Sequence, residues 1–311
     1  MTPIIKVSNL TKDFNGLRAV DDLSFTVNSG EVYGFLGQNG AGKSTTIRML
    51  LTLIRPGSGS MEIFGMNLSR HRREILKQVG AIIEKPDLYK YLTALENMRI
   101  FAAMSGVKCS EKRLLDMLDR VGLATRAKSK VKTYSQGMKQ RLGIAVALAH
   151  DPRLIILDEP TNGLDPQGIA EMRSLILGLS RDQGKTLLVS SHLLGEMELI
   201  ADSMLIIDKG KKLVEGRVKD LFDPAETVVE LKTDDDPAAF SIISDSPLGK
   251  WLHGRRRDCL LLKMNRREVP AVLKQIVDMG IAVHSFHSRH SLEDYFLSLT
   301  SEVKHVEAIK D

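Results

Sequence analysis

The feature that most narrows what this chain can become is the nonapeptide Gly37-Gln-Asn-Gly-Ala-Gly-Lys-Ser-Thr45. It follows a short apolar run, Val32–Leu36, that reads as a buried strand, and it precedes residues 46–53, which read as a helix. Small side chains at Gly37, Gly40, Ala41 and Gly42 let successive backbone N–H groups close around phosphate oxygens. The helix that opens there adds unpaired donors and the positive end of its dipole. Lys43 brings a point charge to the β- and γ-phosphates, and Ser44 places a hydroxyl where Mg²⁺ takes an oxygen ligand. Gly37, Asn39, Gly40, Ala41, Gly42, Lys43, Ser44 and Thr45 are therefore the candidate residues for a nucleoside triphosphate.

Two further strand ends suit the same ligand. Leu154-Ile-Ile-Leu-Asp-Glu159 carries two carboxylates out of an apolar run, and open α/β sheets bind ligands at such carboxyl ends. Asp158 is the Mg²⁺-side carboxylate, acting directly or through water. Glu159 is expected to point the other way along an extended chain, and so to orient or deprotonate the attacking water. Thr186-Leu-Leu-Val-Ser-Ser-His192 ends another apolar strand in polar residues, from which His192 could reach a γ-phosphate or that water.

The surrounding pattern alternates strands and helices, which indicates an α/β layered architecture. Residues 5–7 and 19–27 alternate like antiparallel strands, residues 69–78 are basic and read as helical, and helical spacing dominates from about 92 to 150. After Gly216 the texture changes. Strands at 227–232, 251–255, 259–263 and 281–286, with helices at 237–243, 269–279 and 291–299, read as a small β-α-β-β-α-β domain. At about 150 residues per domain, 311 residues suggest two. The division falls at 1–218 and 219–311, with a helical subdomain near 90–150.

Composition excludes more than it assigns. A net charge of +5 permits an anionic partner without requiring one. Cys109 and Cys259, with no CxxC, read as two reduced structural thiols. No run of 18 apolar residues exists to span a bilayer. No secretory leader is visible at the start, so the default location is the cytosol. His284, His287 and His290 are spaced by three, but 284 lies in an expected strand and 290 in a loop, so they do not share a helix face and no metal is assigned to them.

Taken in order, these pieces resemble the nucleotide-binding subunit of an ATP-binding cassette (ABC) transporter, over about residues 4–217. The element that carries the resemblance furthest is Tyr134-Ser-Gln-Gly-Met-Lys-Gln-Arg141, a variant of the family signature LSGGQ-x-QR. Gly163-Leu-Asp-Pro166 resembles the D-loop, His192 the switch histidine, and Phe14 the aromatic that stacks on adenine. The resemblance implies a P-loop NTPase (ABC ATPase) fold of the α/β class, with a mixed sheet, an added antiparallel β layer, a helical subdomain and a small C-terminal α+β domain. It implies Mg²⁺-dependent ATP hydrolysis in a sandwich of two copies. One copy supplies Lys43, Ser44, Asp158, Glu159 and His192, and the other presents Ser135, Gln136 and Gly137 to the γ-phosphate. The competing reading of Ser135, taken alone, is a helix N-cap.

Two departures stand out. Gln136 replaces a family glycine, and Glu84, in Val79-Gly-Ala-Ile-Ile-Glu-Lys-Pro86, takes the place of the Q-loop glutamine. A carboxylate at 84 could still ligate Mg²⁺ or position water, but its charge alters the balance near the phosphates. The Glu84 variant, with Ser291-Leu-Glu-Asp-Tyr-Phe-Leu-Ser-Leu-Thr300, is similar to exporters of bacitracin, lantibiotics and drugs. Residues 89–97 resemble the surface that receives a membrane partner. The implied partners are a second copy and separate integral membrane permease subunits, which would place the chain at the cytoplasmic face of the membrane. The alternative is a soluble ABC ATPase acting on ribosomes or DNA. A single cassette with no long coiled-coil insertion disfavours it. The Arg255-Arg-Arg257 run near Trp251 reads as a solvated hairpin, so no nucleic acid is expected.

Overall fold

The computed structural model describes residues 2–221, 226–256 and 259–289. They divide between Arg217 and Val218 into two compact units.

The first unit is built on a six-stranded sheet. Its strands are β3 (Val32–Leu36), β6 (Val79–Ile82), β7 (Leu154–Asp158), β8 (Thr186–Ser191), β9 (Ser203–Asp208) and β10 (Lys211–Arg217), in the order β10-β9-β3-β8-β7-β6. All pairings are parallel except β10 with β9. Every residue of β3, β7 and β8 is buried. Strands enclosed on both faces need unbroken apolar runs rather than alternation, which is what these segments supply.

A second, antiparallel sheet comprises β1 (Pro3–Phe14), β2 (Leu17–Asn28), β4 (Ser58–Ile63) and β5 (Met66–Asn67), in the order β2-β1-β4-β5. Here burial alternates: Val20, Leu23, Phe25 and Val27 are buried, with more exposed residues between Leu23 and Val27. Their apolar face joins one core with Phe35, Ile47, Leu50, Ile156 and Leu188. Phe25 stacks on both Tyr33 and Phe35, with ring centroids 6.0 and 5.6 Å away.

The helices of this unit are α1 (Lys43–Leu50), α2 (Arg72–Leu76), α3 (Ala94–Met104), α4 (Glu111–Arg120), α5 (Gln136–Ala147), α6 (Pro166–Arg181) and α7 (Leu194–Glu198). The helical insert has its own core, in which Leu95, Met98 and Ala102 of α3 meet Leu114 and Leu118 of α4 and Leu142 and Ala145 of α5. A capping box fixes the start of α3: Thr93 Oγ1 accepts from Glu96 N–H while the Glu96 carboxylate accepts from Thr93 N–H. Those bonds hold the Glu96 carboxyl below its ordinary pKa.

Two sequence expectations shift. The helix expected over 46–53 begins at Lys43 and ends at Leu50, because Thr52 turns left-handed (φ 58°). The basic 69–78 segment is helical only over Arg72–Leu76.

The second unit contains α8 (Val218–Leu221), β11 (Glu226–Thr233), α9 (Asp236–Ser244), β12 (Leu252–Arg256), β13 (Cys259–Asn265), α10 (Val269–Asp278) and β14 (Val283–Arg289). The strands form an antiparallel sheet in the order β12-β13-β11-β14. Val229, Leu231, Leu260 and Leu262 pack against Ile243 of α9 and Val272 and Ile276 of α10. The helix expected at 291–299 lies outside the described residues. No helix among the described residues is long and apolar enough to cross a membrane.

Candidate nucleotide-binding site

The loop between β3 and α1 curls around its own lysine. Lys43 is only 5% exposed, and its Nζ donates to the carbonyls of Gly37 (2.6 Å) and Gln38 (3.2 Å). Two glycines are obligatory for this path. A Cβ at Gly37 would stand 2.5 Å from Ile207 O, and one at Gly42 would stand 2.5 Å from Ala19 O. Gly42 also adopts φ 104°, which L side chains rarely tolerate. Ser44 and Thr45 follow, half-buried, in the first turn of α1.

The two carboxylates of the 154–159 run lie beside this loop but do different things. Asp158, the last residue of β7, is fully buried. Its Oδ1 accepts from Ser190 Oγ at 2.5 Å, while its Oδ2 has no partner. A buried carboxylate oxygen without a donor costs several kcal/mol unless a cation meets it, so this residue fits a Mg²⁺ ligand. The donor set is of the right kind, since Mg²⁺ takes carboxylate and hydroxyl oxygens and Ser44 supplies the second. Among the described residues no cluster of three or more His, Cys, Asp or Glu forms a metal site.

Glu159 departs from the extended geometry expected for it. Its backbone is left-handed (φ 50°), so a turn, rather than strand alternation, separates its side chain from that of Asp158. One oxygen lies 3.2 Å from Lys43 Nζ and the other 2.7 Å from His192 Nδ1. The structure thus brings Lys43, Glu159 and His192 into one chain of contacts, with Asp158 adjoining through Ser190.

Ser190 was not singled out from the sequence. Its hydroxyl donates to Asp158 and accepts from the Glu159 N–H at 2.9 Å, so one side chain sets both carboxylates. The only trace in the sequence is the pair of serines that ends an apolar strand. Its meaning comes from register, because β7 and β8 pair Asp158 with Ser190.

Among the described residues, no hydrogen bond or ion pair joins the remaining candidates to this chain of contacts. Phe14, 42% exposed, ends β1, and Lys12 Nζ lies 4.9 Å from its ring centroid. Glu84 follows β6 in a left-handed turn (φ 59°), with its carboxylate 2.6 Å from Arg48 Nη2. Ser135 caps α5, accepting from Met138 N–H at 3.2 Å, and Gln136 and Gly137 form the first turn. Asp165 likewise caps α6, and an Arg141–Glu171 ion pair (3.2 Å) ties α5 to α6. Among the described residues no hydrogen bond or ion pair joins 135–137 to Lys43, Asp158, Glu159 or His192. His284 is paired with Asp234.

Comparison with known proteins identifies the family and the fold. Residues 20–162 match the family model described as ABC transporter. The chain is 43% identical over 313 residues to the bacitracin transport ATP-binding protein BcrA of Bacillus licheniformis, covering 96% of this chain and 98% of that protein. It is 42% identical over 228 residues to the lantibiotic transport ATP-binding protein SrtF of Streptococcus pyogenes, covering 73% and 95%. Among solved structures, the dimeric post-hydrolysis state of the cassette MJ0796 bound to ADP and Pi superposes with a TM-score of 0.63 at 26% identity, covering 69% of this chain and 99% of that one. The chain belongs to the ABC transporter family, as an ATP-binding subunit whose hydrolysis of ATP is coupled to transport.

Proposed function

We propose that this chain powers the export of an antimicrobial peptide of the bacitracin or lantibiotic kind. It does so as a pair of copies at the cytoplasmic face, beneath separate integral membrane permease subunits. The cargo assignment is supported by the likeness to BcrA, which runs through both units of the chain. The pairing is supported by the dimeric cassette of the same fold.

The observation that carries the catalytic reading is the buried, unpartnered Oδ2 of Asp158 beside the Lys43–Glu159–His192 chain. Asp158 and Ser44 would hold Mg²⁺, which when bound neutralises charge on the β- and γ-phosphates. Lys43 exchanges its loop carbonyls and Glu159 for phosphate oxygens. Glu159, released from the lysine, accepts a proton from the attacking water, and His192 holds that carboxylate in place. Phe14 offers a face for the adenine ring. Ser135, Gln136 and Gly137 of a second copy would close over the γ-phosphate. Glu84 would stand near the metal.

The test is a pull-down from solubilised membranes with tagged Glu159→Gln protein and ATP. An integral membrane protein is the expected capture. Recovery of ribosomal proteins or nucleic acid instead would overturn the transport reading.

A further inference from the structure

We propose that Arg48 is a positioning and charge-compensating residue for Glu84, and that it allows a glutamate to stand at the nucleotide-facing edge of the sheet. The inference rests on the reading that Mg²⁺-ATP binds at Lys43 and Asp158.

The placement follows from the strand register. β6 and β7 are parallel neighbours, with Ile82 paired to Leu157. Both strands therefore leave the sheet at the same edge, about 4.8 Å apart. Asp158 is one residue past that pair and Glu84 two residues past it. A glutamate at 84 adds a full negative charge to an edge that already carries Asp158 and Glu159, and a triphosphate must approach this edge. Lys43 is engaged by Glu159 and by its own loop. The charge on Glu84 is met instead by Arg48, at 2.6 Å.

The geometry of Arg48 suits this task. It lies in the last turn of α1, five residues after Lys43 and about 140° around the helix, and so reaches Glu84 rather than the phosphate loop. Glu84 sits two residues past β6 in a left-handed turn, from which its carboxylate meets Arg48. Guanidinium keeps its charge at every pH the protein experiences, and it meets the carboxylate through one contact, Nη2 to Oε1. The side chains of the pair are 41% and 61% exposed, and pairs this open add little to folding stability. Its consequence should therefore appear in nucleotide affinity and not in the melting temperature.

The experiment titrates the full chain with a fluorescent ATP analogue and Mg²⁺ at low salt, in four variants: Arg48→Gln, Arg48→Lys, Glu84→Gln and the double Arg48→Gln/Glu84→Gln. Arg48→Gln should weaken binding about tenfold. Arg48→Lys should stay within about threefold of wild type, because the charge survives. The double variant should return to within about threefold of Glu84→Gln, because no charge is left to compensate. The Arg48→Gln defect should shrink at about 0.5 M salt. Undiminished binding by Arg48→Gln, or a double variant as weak as Arg48→Gln, would overturn the proposal. Lys43→Ala serves as the control for the underlying site. If it too binds nucleotide normally, the site reading fails, whereas its loss of binding beside a normal Arg48→Gln rejects the role of Arg48 alone.

Discussion

Nδ1 of His192 lies 2.7 Å from Oε2 of Glu159. The opposite oxygen of the same carboxylate is 3.2 Å from Lys43 Nζ, so Glu159 is shared between the histidine that follows β8 and the lysine of the phosphate loop. That carboxylate is the counter-charge of Lys43. Phosphate binding would take over that role and free Glu159 for water.

Replacing Glu159 by Gln removes the proton acceptor and also a competitor for Lys43. Hydrolysis should fall by about 10²–10⁴-fold, while ATP binds at least as tightly as to wild type. Light scattering with saturating ATP should register a dimer. Wild-type turnover, or a persistent monomer, would count against the role given to Glu159.

Gly137→Ala separates function from folding. A Cβ at 137 meets nothing closer than Leu164 Cδ2, at 3.8 Å, so one copy accommodates it without strain. Alanine is also the better helix former by up to about 1 kcal/mol. The melting temperature should hold or rise slightly, while hydrolysis drops at least about 100-fold, since close backbone approach to a phosphate is blocked. Full activity in this variant would show that nothing approaches the 135–137 turn.

Tyr33 makes stability sensitive to alkali. It is 1% exposed, and its hydroxyl donates to Glu215 Oε1 at 2.9 Å. Burial, followed by the Glu215 carboxylate, pushes its pKa well above the ordinary tyrosine value. The folded state therefore keeps a proton that the unfolded chain begins to lose above about pH 10. The stability contributed by Tyr33 is complete below that pH and is lost as pH rises beyond it toward the folded value. Tyr33→Phe should cost about 1 kcal/mol at pH 8. Urea unfolding should find the gap between wild type and variant narrowing at about pH 10.5. A gap independent of pH would remove Tyr33 as the cause.

The site was legible wherever one local segment carries the chemistry. Glycine spacing at 37–42 dictates a loop that can wrap an anion, because close backbone approach excludes side chains whatever the rest of the fold does. Apolar runs ending in Asp158 or His192 mark buried parallel strands, whose carboxyl ends must carry the polar residues. Ser190 and Arg48 were not legible, since each acts through a partner distant in sequence: Asp158 lies 32 residues from Ser190 and Glu84 lies 36 from Arg48.

By itself, then, the sequence marked β3, β7 and β8 as buried strands, one glycine loop as able to wrap an anion, and a set of side chains as chemically suited to it, since these follow from local spacing and residue type. Tertiary structure decided that Glu159 turns away from β7 to join Lys43 and His192, that one serine sets both carboxylates, and that Arg48 answers the charge of Glu84. The physical reason is that hydrogen bonds and ion pairs act over about 3 Å. Only the order and register of neighbouring strands bring residues so distant along the chain within that reach.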